Sequence, residues 1–232
     1  MKVEVLSDAA AVAQAAARLI AAEARAAVAA RGRFCFAVSG GHTPWQMLGA
    51  LAKEEVPWAQ VHLFQVDERV APAGDPDRNL THIRESLLST VSLPAGHLHA
   101  MPVEDGDLGA ASARYARDLE SVAGTPPVLD LVHLGLGPDG HTASLVPGDK
   151  ALEVTGADVT LAGPYQGRMR MTLTYPVLDR ARKILWVVTG AEKVPMLKKL
   201  QAGDRTIPAG RVRADRAVIL ADAAAAGTPP RK

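Results

Sequence analysis

Residues 129–144 constrain the fold of this chain more than any other stretch. A largely aliphatic run, LDLVHL, ends in GLGPDGHTAS, where three glycines alternate with a proline, an aspartate and a histidine. The run predicts a strand that is buried on both faces, as the strands of a parallel sheet are. The glycines predict a loop in which the backbone turns sharply or approaches a ligand. Because ligands bind at the carboxyl ends of strands in open α/β sheets, we expect His141 at the mouth of a cleft.

Predicted strands alternate with predicted helices along the rest of the chain. This order favours an α/β fold with a mainly parallel sheet that is covered on both faces. No repeat, low-complexity linker or domain boundary interrupts the order, so we expect a single domain over residues 1–232. Residues 91–107 should form an irregular connection, and the Ala-, Gly- and Pro-rich tail from residue 223 should be frayed. The predicted strands are 3–6, 33–38, 61–66, 129–134, 158–162, 169–174, 184–189 and 217–220, and the longest predicted helices are 9–31, 79–88, 108–122 and 191–201.

The charge balance and the single cysteine limit the class of protein. There are 26 basic and 25 acidic residues, so no net field favours nucleic acid or an anionic membrane. Cys35 is the only cysteine, which excludes an internal disulfide framework and fits a reducing cytoplasm. No apolar stretch of about 20 residues could cross a membrane. We therefore expect a cytoplasmic protein that has neither a nucleic-acid nor a membrane partner, with Cys35 as a buried structural thiol. A monomer is a separate expectation that these features do not decide.

The loop SGGHT at residues 39–43 suits a phosphate. The glycines Gly40 and Gly41 let backbone N–H groups approach an anion, the hydroxyls of Ser39 and Thr43 add donors, and a predicted helix begins there. The alternative is a tight strand-to-helix turn in which Thr43 caps the helix and Pro44 is its first residue. The local sequence favours neither interpretation over the other.

Two further loops carry charged candidates. Arg69, in Asp67-Glu68-Arg69 after a predicted strand, could bind an oxyanion bidentately while Asp67 orients a partner; the alternative is a solvated turn with a surface ion pair. Lys193 falls in the first turn of a predicted helix, where the helix dipole disfavours a cation. An anionic ligand would explain that position, although a snorkelling surface lysine is an equal alternative.

His141 is the candidate general base, because histidine titrates near neutral pH. Asp139 could orient its imidazole or hold the loop, and the alternative is a structural or solvated histidine. The spacing of Gly135, Gly137 and Gly140 formally matches a dinucleotide-binding fingerprint, but the intervening Pro-Asp makes that interpretation weak.

The joint set of motifs resembles the 6-phosphogluconolactonases of the glucosamine-6-phosphate deaminase/isomerase superfamily. The order and spacing of the blocks agree over nearly the whole chain, and the glycine-histidine block is the most specific. The matching blocks are VSGGHTP at 38–44, VDERVAP at 66–72 with Arg78-Asn79, LGLGPDGHTASLVPG at 134–148, RMTLT at 170–174 and TGAEK at 189–193.

This resemblance implies a three-layer Rossmann-like sandwich that hydrolyses 6-phosphoglucono-1,5-lactone to 6-phosphogluconate in the oxidative pentose phosphate pathway. It implies a phosphosugar lactone as the substrate and no organic cofactor. We also expect no metal, because His97 and His99, which have the spacing of metal ligands, lie in a proline-rich stretch with only Glu104 and Asp105 nearby. The proposed base falls on His141, and its acidic and basic partners fall on Asp67 and Arg69. Either Asp67 or Asp139 would orient the base, so we count Asp139 among the catalytic residues. Phosphate recognition falls on Ser39, Gly40, Gly41, Thr43, Lys193 and Arg170.

Two alternative functions stay open at this stage. The sister deaminases have a glutamate for ring-opening chemistry where this chain has Val146, and an apolar side chain cannot transfer protons. A sugar-phosphate deaminase or isomerase is therefore less well supported than a lactonase. A sugar-phosphate sensor on the same scaffold would bind without turnover.

Overall fold

A seven-stranded parallel sheet lies at the centre of the molecule. The structure is a computed structural model that describes residues 1–228. In chain order the strands are β1 (Lys2–Leu6), β2 (Phe34–Val38), β3 (Val61–Gln65), β4 (Asp67–Arg69), β5 (Leu98–His99), β6 (Leu131–Leu134), β7 (Val159–Tyr165), β8 (Arg168–Leu173), β9 (Ile184–Val188) and β10 (Ala217–Asp222). The main sheet has the order β1-β10-β9-β6-β2-β3-β5, and each of its neighbouring pairs is parallel.

Helices cover both faces of this sheet. The helices are α1 (Ala9–Arg31), α2 (His42–Leu51), α3 (Asn79–Ile83), α4 (Leu108–Ala123), α5 (Tyr175–Arg180) and α6 (Val194–Gln201), and α3 continues as a π-helical segment, Arg84–Leu88. One core joins α1, α2 and α3 to one face, and a second core joins α4, α5 and α6 to the other. The predicted three-layer α/β sandwich with a mainly parallel sheet is confirmed.

The longest helix, α1, shows how closely the sequence determines these layers. Asp8 accepts a hydrogen bond from the Ala11 N–H at 2.8 Å and caps the start, and Gly32 ends the helix at φ 73°. Most of the buried positions of α1 are alanines, so the helix axis can lie close to the sheet. The predicted helix over residues 9–31 is confirmed.

A second, three-stranded antiparallel sheet in the order β4-β8-β7 was not predicted. The predicted strands near 158–162 and 169–174 form a hairpin, because the two residues between Tyr165 and Arg168 can join only antiparallel neighbours. Asp67–Arg69 forms the third strand of this sheet instead of a loop. The small sheet stands beside the carboxyl end of β3 and brings β8 to the same region as His141.

Three local predictions were wrong. Helix α2 begins at His42 after Gly41, and Thr43 does not cap it, because its hydroxyl bonds Thr189 instead. The supposedly irregular connection contains β5, which pairs with β3. The tail is not frayed over residues 223–228, where Asp222 accepts from the Ala225 N–H and Ala225 is buried; residues 229–232 lie outside the described part of the chain.

The burial of Cys35 and the hydropathy of the helices test the predictions of a structural thiol and of no membrane-spanning segment. The Cys35 thiol is buried in β2, and burial together with the charge of Asp130 raises its pKa to about 11, as a structural thiol requires. In residues 1–228 no helix is both long enough and apolar enough to span a bilayer. The single domain over residues 1–232 stays a prediction.

Candidate active site

The glycine-rich loop after β6 holds His141 against its own backbone. The Gly137 N–H donates to the His141 carbonyl at 2.8 Å, and Gly140 turns the chain at φ 83°. A Cβ on Gly137 would lie 2.1 Å from His141 Nδ1, so no other residue allows this close approach of the ring. The loop then closes in a short bridge between Thr142 and Leu145 instead of entering a helix. Its glycines therefore serve to position the histidine.

His141 forms a close pair with Asp139. Nδ1 lies 2.5 Å from Asp139 Oδ1, and the same oxygen accepts from the His141 backbone N–H at 3.1 Å. Burial opposes ionisation of Asp139, but the hydrogen bonds and charge of His141 outweigh it and leave the pKa of the carboxyl lowered. An ionised Asp139 accepts a hydrogen bond from His141 Nδ1–H. The proton therefore stays on Nδ1, and the lone pair of Nε2 is available. Nε2 makes no hydrogen bond within residues 1–228, and the side chain is 21% exposed.

Asp67 lies in the same cleft but has other partners. It is buried, and Oδ2 accepts from the Ser144 hydroxyl at 2.6 Å. The Asn79 amide donates to the Asp67 carbonyl at 2.9 Å and reaches Oδ1 at 3.4 Å. No hydrogen bond joins Asp67 to His141 in the described residues. Of the two candidate aspartates, Asp139 is therefore the one that contacts the imidazole.

Arg69 and Arg170 enter the cleft from the small sheet. Arg69 donates to the Asp77 carbonyl at 2.6 Å and to Asn79 Oδ1 at 2.9 Å, and Arg170 reaches Gln166 Oε1 at 3.3 Å. The Nε atoms of both arginines are buried without a hydrogen-bond partner in residues 1–228. Burial lowers the pKa of Arg170, and Arg69 adds to this effect while Asp67 opposes it. These spare, desolvated donors suit an oxyanion.

Glu68, to which sequence analysis assigned no role, holds this wall together. Its side chain is fully buried and accepts from the backbone N–H groups of Arg69, Asn79 and Leu80 at 2.8–2.9 Å. Arg78 Nε lies 3.1 Å from Oε2, an ion pair outside hydrogen-bond geometry. The alternative of a solvated turn is therefore wrong, because Asp67 and Glu68 are both buried.

The Ser39 loop presents backbone donors to the cleft. The N–H of Ser39 points inward to His133 Nδ1 at 3.3 Å, and its hydroxyl donates to the His133 carbonyl at 3.1 Å. Burial lowers the pKa of His133 to about 3, so the imidazole is a neutral acceptor. In residues 1–228 the N–H groups of Gly40 and Gly41 donate to no protein acceptor. A Cβ on Gly40 would lie 1.8 Å from Asn79 Oδ1, so glycine is required where the loop meets Asn79.

Lys193 lies in a short 3₁₀ turn, Ala191–Lys193, that precedes α6. Its side chain is only 20% exposed, and Nζ lies 3.9 Å from Glu192 Oε1. It lines both the His141 cleft and an adjoining cleft that contains Thr43 and Thr189. This position contradicts the alternative of a snorkelling surface lysine.

The predicted residues converge on these two clefts. The His141 cleft has a volume of about 210 Å³ and is lined by all of them except Thr43, which lines the adjoining cleft, and Asp139, which lies behind His141. In residues 1–228 no group of three or more His, Cys, Asp or Glu side chains is placed to hold a metal ion. The predicted residues in the His141 cleft are Ser39, Gly40, Gly41, Asp67, Arg69, His141, Arg170 and Lys193.

Sequence analysis missed two polar contributors. Asn79 bridges Arg69 and Asp67, and its place in an Arg-Asn block was a usable signal. Tyr165 donates to Asp139 Oδ2 at 3.2 Å from the end of β7. Nothing in the sequence near Tyr165 indicates this contact, because it depends on the unpredicted hairpin.

This arrangement agrees with the comparison of the chain with known proteins. Residues 7–220 match the family model described as glucosamine-6-phosphate isomerases/6-phosphogluconolactonase. The chain belongs to this family. The predicted resemblance is confirmed, and the matched residues include both clefts.

Relatives in the family cover nearly the whole chain. A 6-phosphogluconolactonase of Nostoc sp. is 37% identical over an alignment of 231 positions that covers 96% of this chain and 96% of its own. A 6-phosphogluconolactonase of Mycobacterium tuberculosis is 36% identical and covers 88% of this chain and 89% of its own. Among solved structures, 6-phosphogluconolactonase of Thermotoga maritima has a TM-score of 0.85 at 26% identity, covering 95% of this chain and 98% of its own. A monomeric glucosamine-6-phosphate deaminase reaches the same TM-score, 0.85, at 18% identity, which concerns the fold alone.

Proposed function

We propose that the chain hydrolyses 6-phosphoglucono-1,5-lactone to 6-phosphogluconate, a reaction of the oxidative pentose phosphate pathway. Family members that match nearly its whole length carry the name of this enzyme. The observation that carries the proposal within the chain is the His141–Asp139 pair beside two incompletely paired arginines. A histidine base next to an oxyanion site suits attack of water on an ester carbonyl.

His141 supplies the proton transfers. With Nδ1–H donating a hydrogen bond to the Asp139 carboxylate, Nε2 accepts a proton from water as the water oxygen attacks the lactone carbonyl carbon. Collapse of the tetrahedral intermediate re-forms the carbonyl and breaks the bond to the ring oxygen. The proton held on Nε2 passes to that oxygen, which becomes the C5 hydroxyl. Lactone hydrolysis in this scheme uses no other titrating group.

Arg69 and Arg170 stabilise the charge that develops on the carbonyl oxygen. Arg170 is buried and Arg69 is half-buried, so electrostatic interactions with them are stronger than in water, and the Nε of each has no protein partner in residues 1–228. Asp67 is held by Ser144 and Asn79 and lies close enough to Arg170 to favour its charged form. Its role in the proposal is to keep the arginines in place.

The phosphate is held at the opposite side of the clefts. The free N–H groups of Gly40 and Gly41 and the Lys193 ammonium are its main ligands, and Thr43 adds a hydroxyl. Because Ser39 already donates to His133, it contributes by holding the loop. An anchor remote from the reacting carbon orients the lactone for attack.

A direct assay tests the proposal against its alternatives. The protein should hydrolyse freshly generated 6-phosphogluconolactone faster than the spontaneous rate and should release no ammonia from glucosamine 6-phosphate. Binding of phosphosugar without turnover would favour a sensor, and ammonia release would favour a deaminase. Val146, which is buried beyond the histidine block, argues against the deaminase.

The remaining expectations are part of the same proposal. The even balance of 26 basic and 25 acidic residues supports the absence of a nucleic-acid partner, and the single cysteine, Cys35, fits a cytoplasmic enzyme. We infer a single domain that is active as a monomer. Size-exclusion chromatography with light scattering should give a mass near 24.4 kDa at assay concentrations.

A further inference from the structure

Tyr165 completes the hydrogen bonding of the Asp139 carboxylate. Its hydroxyl donates to Oδ2 at 3.2 Å, whereas Oδ1 accepts from His141 Nδ1 at 2.5 Å and from the His141 N–H at 3.1 Å. Each carboxylate oxygen therefore has its own donor. Two separate anchors fix the plane of the carboxylate and, through it, the plane of the imidazole.

The Tyr165 ring also contacts His141 and Arg170, the proposed base and a proposed oxyanion donor. It stands edge to face with the His141 ring, with centroids 5.3 Å apart and planes at 65°. The Arg170 guanidinium carbon lies 5.1 Å from the centroid of the same tyrosine ring. One side chain thus touches the proposed base, the acid that orients it and a proposed oxyanion donor.

The phenol of Tyr165 remains a donor at working pH. Burial raises its pKa, and the charge of Asp139 and the hydrogen bond to it raise the pKa further, against an opposing effect of Arg170. The Asp139 carboxyl has a lowered pKa and is the acceptor. The other charged or titratable groups that line the adjacent cleft are Asp67, Arg69, His141 and Lys193.

We propose that Tyr165 is a positioning residue that sets the orientation and basicity of His141 through Asp139. This inference rests on the proposed role of His141 as the base. A hydrogen bond on Oδ2 draws negative charge away from Oδ1, so Asp139 stabilises a protonated imidazole less strongly. Without the hydroxyl, the imidazole should hold its proton to a higher pH.

Tyr165→Phe removes the hydroxyl and keeps the ring. It should lower kcat about tenfold with little change in KM, and it should move the acid limb of the kcat/KM profile to higher pH. Tyr175→Phe is the matched control, because the Tyr175 hydroxyl bonds the Pro208 carbonyl at 2.9 Å and lies outside both clefts. An unchanged kcat together with an unmoved acid limb in Tyr165→Phe would overturn the inference.

A double-mutant cycle tests whether the effect passes through Asp139. If it does, Tyr165→Phe in an Asp139→Asn background should cause no further loss of kcat. Losses that multiply would place the action of Tyr165 elsewhere and overturn the inference. Equal thermal midpoints of the wild type and Tyr165→Phe would show that the loss of kcat does not come from unfolding.

Side-chain NMR of the substrate-free protein separates this inference from the proposed function. Tyr165→Phe should shift the His141 Nδ1–H resonance, and Tyr175→Phe should leave it in place. An unshifted resonance in Tyr165→Phe would overturn the role of Tyr165 even if the wild type is a lactonase. A shifted resonance in a protein without lactonase activity would refute the proposed function alone.

Discussion

Arg69 lies directly opposite Arg170 in the register between β4 and β8, so two guanidinium groups project from the same face of the small sheet. Like charges in directly opposed positions destabilise a sheet. Here both Nε atoms are also buried without a hydrogen-bond partner in residues 1–228. The pair thus stores an unfavourable interaction that a bound anion would relieve.

Removing one arginine of this pair should weaken anion binding without lowering the thermal stability of the ligand-free protein. We expect Arg170→Gln to weaken binding of 6-phosphogluconate at least about tenfold, since a hydrogen bond to a charged group contributes about 1.5–3 kcal/mol. The ligand-free variant should be as stable as the wild type, because a repulsion is also lost. Calorimetric titration and thermal melts measure the two effects. Arg213→Gln is the control, since Arg213 is exposed and bonds Asp215, and equal binding by both variants would contradict the prediction.

His141→Gln should abolish most of the rate enhancement while leaving the substrate site intact. Loss of general acid–base help corresponds to a decrease of about 10²–10⁴ in kcat, with little change in KM. Rates must be corrected for spontaneous lactone hydrolysis. His97→Gln should keep full activity, because His97 lies outside both clefts and bonds the Val61 carbonyl. A corrected kcat equal to that of the wild type would remove His141 from the mechanism.

Gly137→Ala should affect activity far more than folding. The added methyl group would meet the His141 ring at 2.1 Å and displace it from Asp139. We expect kcat to approach that of His141→Gln, whereas the thermal midpoint changes little, because a displaced ring can turn toward the open cleft. Gly156→Ala is matched to it, since a Cβ there has no neighbour within 4 Å. Normal kcat in Gly137→Ala would show that the loop tolerates a side chain.

Glu68→Gln should lower the free energy of unfolding, although Glu68 lines neither cleft and is not proposed to contact the substrate. It leaves the buried Arg78 with only the partly exposed Glu104 as an ionic partner, and breaking a buried ion pair costs about 3 kcal/mol. Glu104→Gln removes the other partner of the same arginine, and because the Glu104 side chain is half exposed to solvent, its loss should cost less, about 1 kcal/mol or below. Urea unfolding measures the free energy of unfolding of both variants. An equal decrease in Glu68→Gln and Glu104→Gln would contradict the prediction that the buried pair contributes more.

Acidification should destabilise the folded chain through His133. Burial lowers its pKa to about 3, whereas an unfolded histidine titrates near about 6.5. Between these two pH values the unfolded state binds a proton on His133 and the folded state does not. This contribution to the free energy of unfolding is therefore complete above about pH 6.5 and falls as the pH drops, by at most about 1.4 kcal/mol per pH unit. His133→Leu should flatten this slope between pH 6 and pH 4, measured by urea unfolding. A slope identical to that of the wild type would show that His133 is not responsible.

The sequence was a reliable guide wherever local chemistry decides the structure. The Asp8 cap and Gly32 end of α1, the buried parallel strands and the glycine loop that holds His141 were all predictable. Charged and polar groups at the ends of successive parallel strands meet at one edge of a sheet, so most candidate residues could be grouped before the fold was known. The family resemblance added the reaction.

The sequence was a poor guide wherever a contact depends on long-range pairing. Asp67–Arg69 looks like a charged turn, because the partner strand that buries it lies about 100 residues later along the chain, as the pairing of Glu68 with Met171 shows. The contact of Tyr165 with Asp139 depends on the same small sheet. Thr43 has the composition of a helix cap, yet Thr189 competes for its hydroxyl. No local sequence pattern predicts any of these contacts.

The proposed site takes its residues from two sheets, and one of them supplies the whole proposed phosphate anchor. In the proposal, the phosphate ligands and the base His141 lie in loops of the parallel sheet, whereas Arg69, Arg170 and Tyr165 belong to the small antiparallel sheet. Mutations in the hairpin could therefore alter the reacting end of the substrate while the anchor stays unchanged. A scaffold of this kind can acquire new chemistry on phosphorylated sugars without having to evolve a new way to bind them.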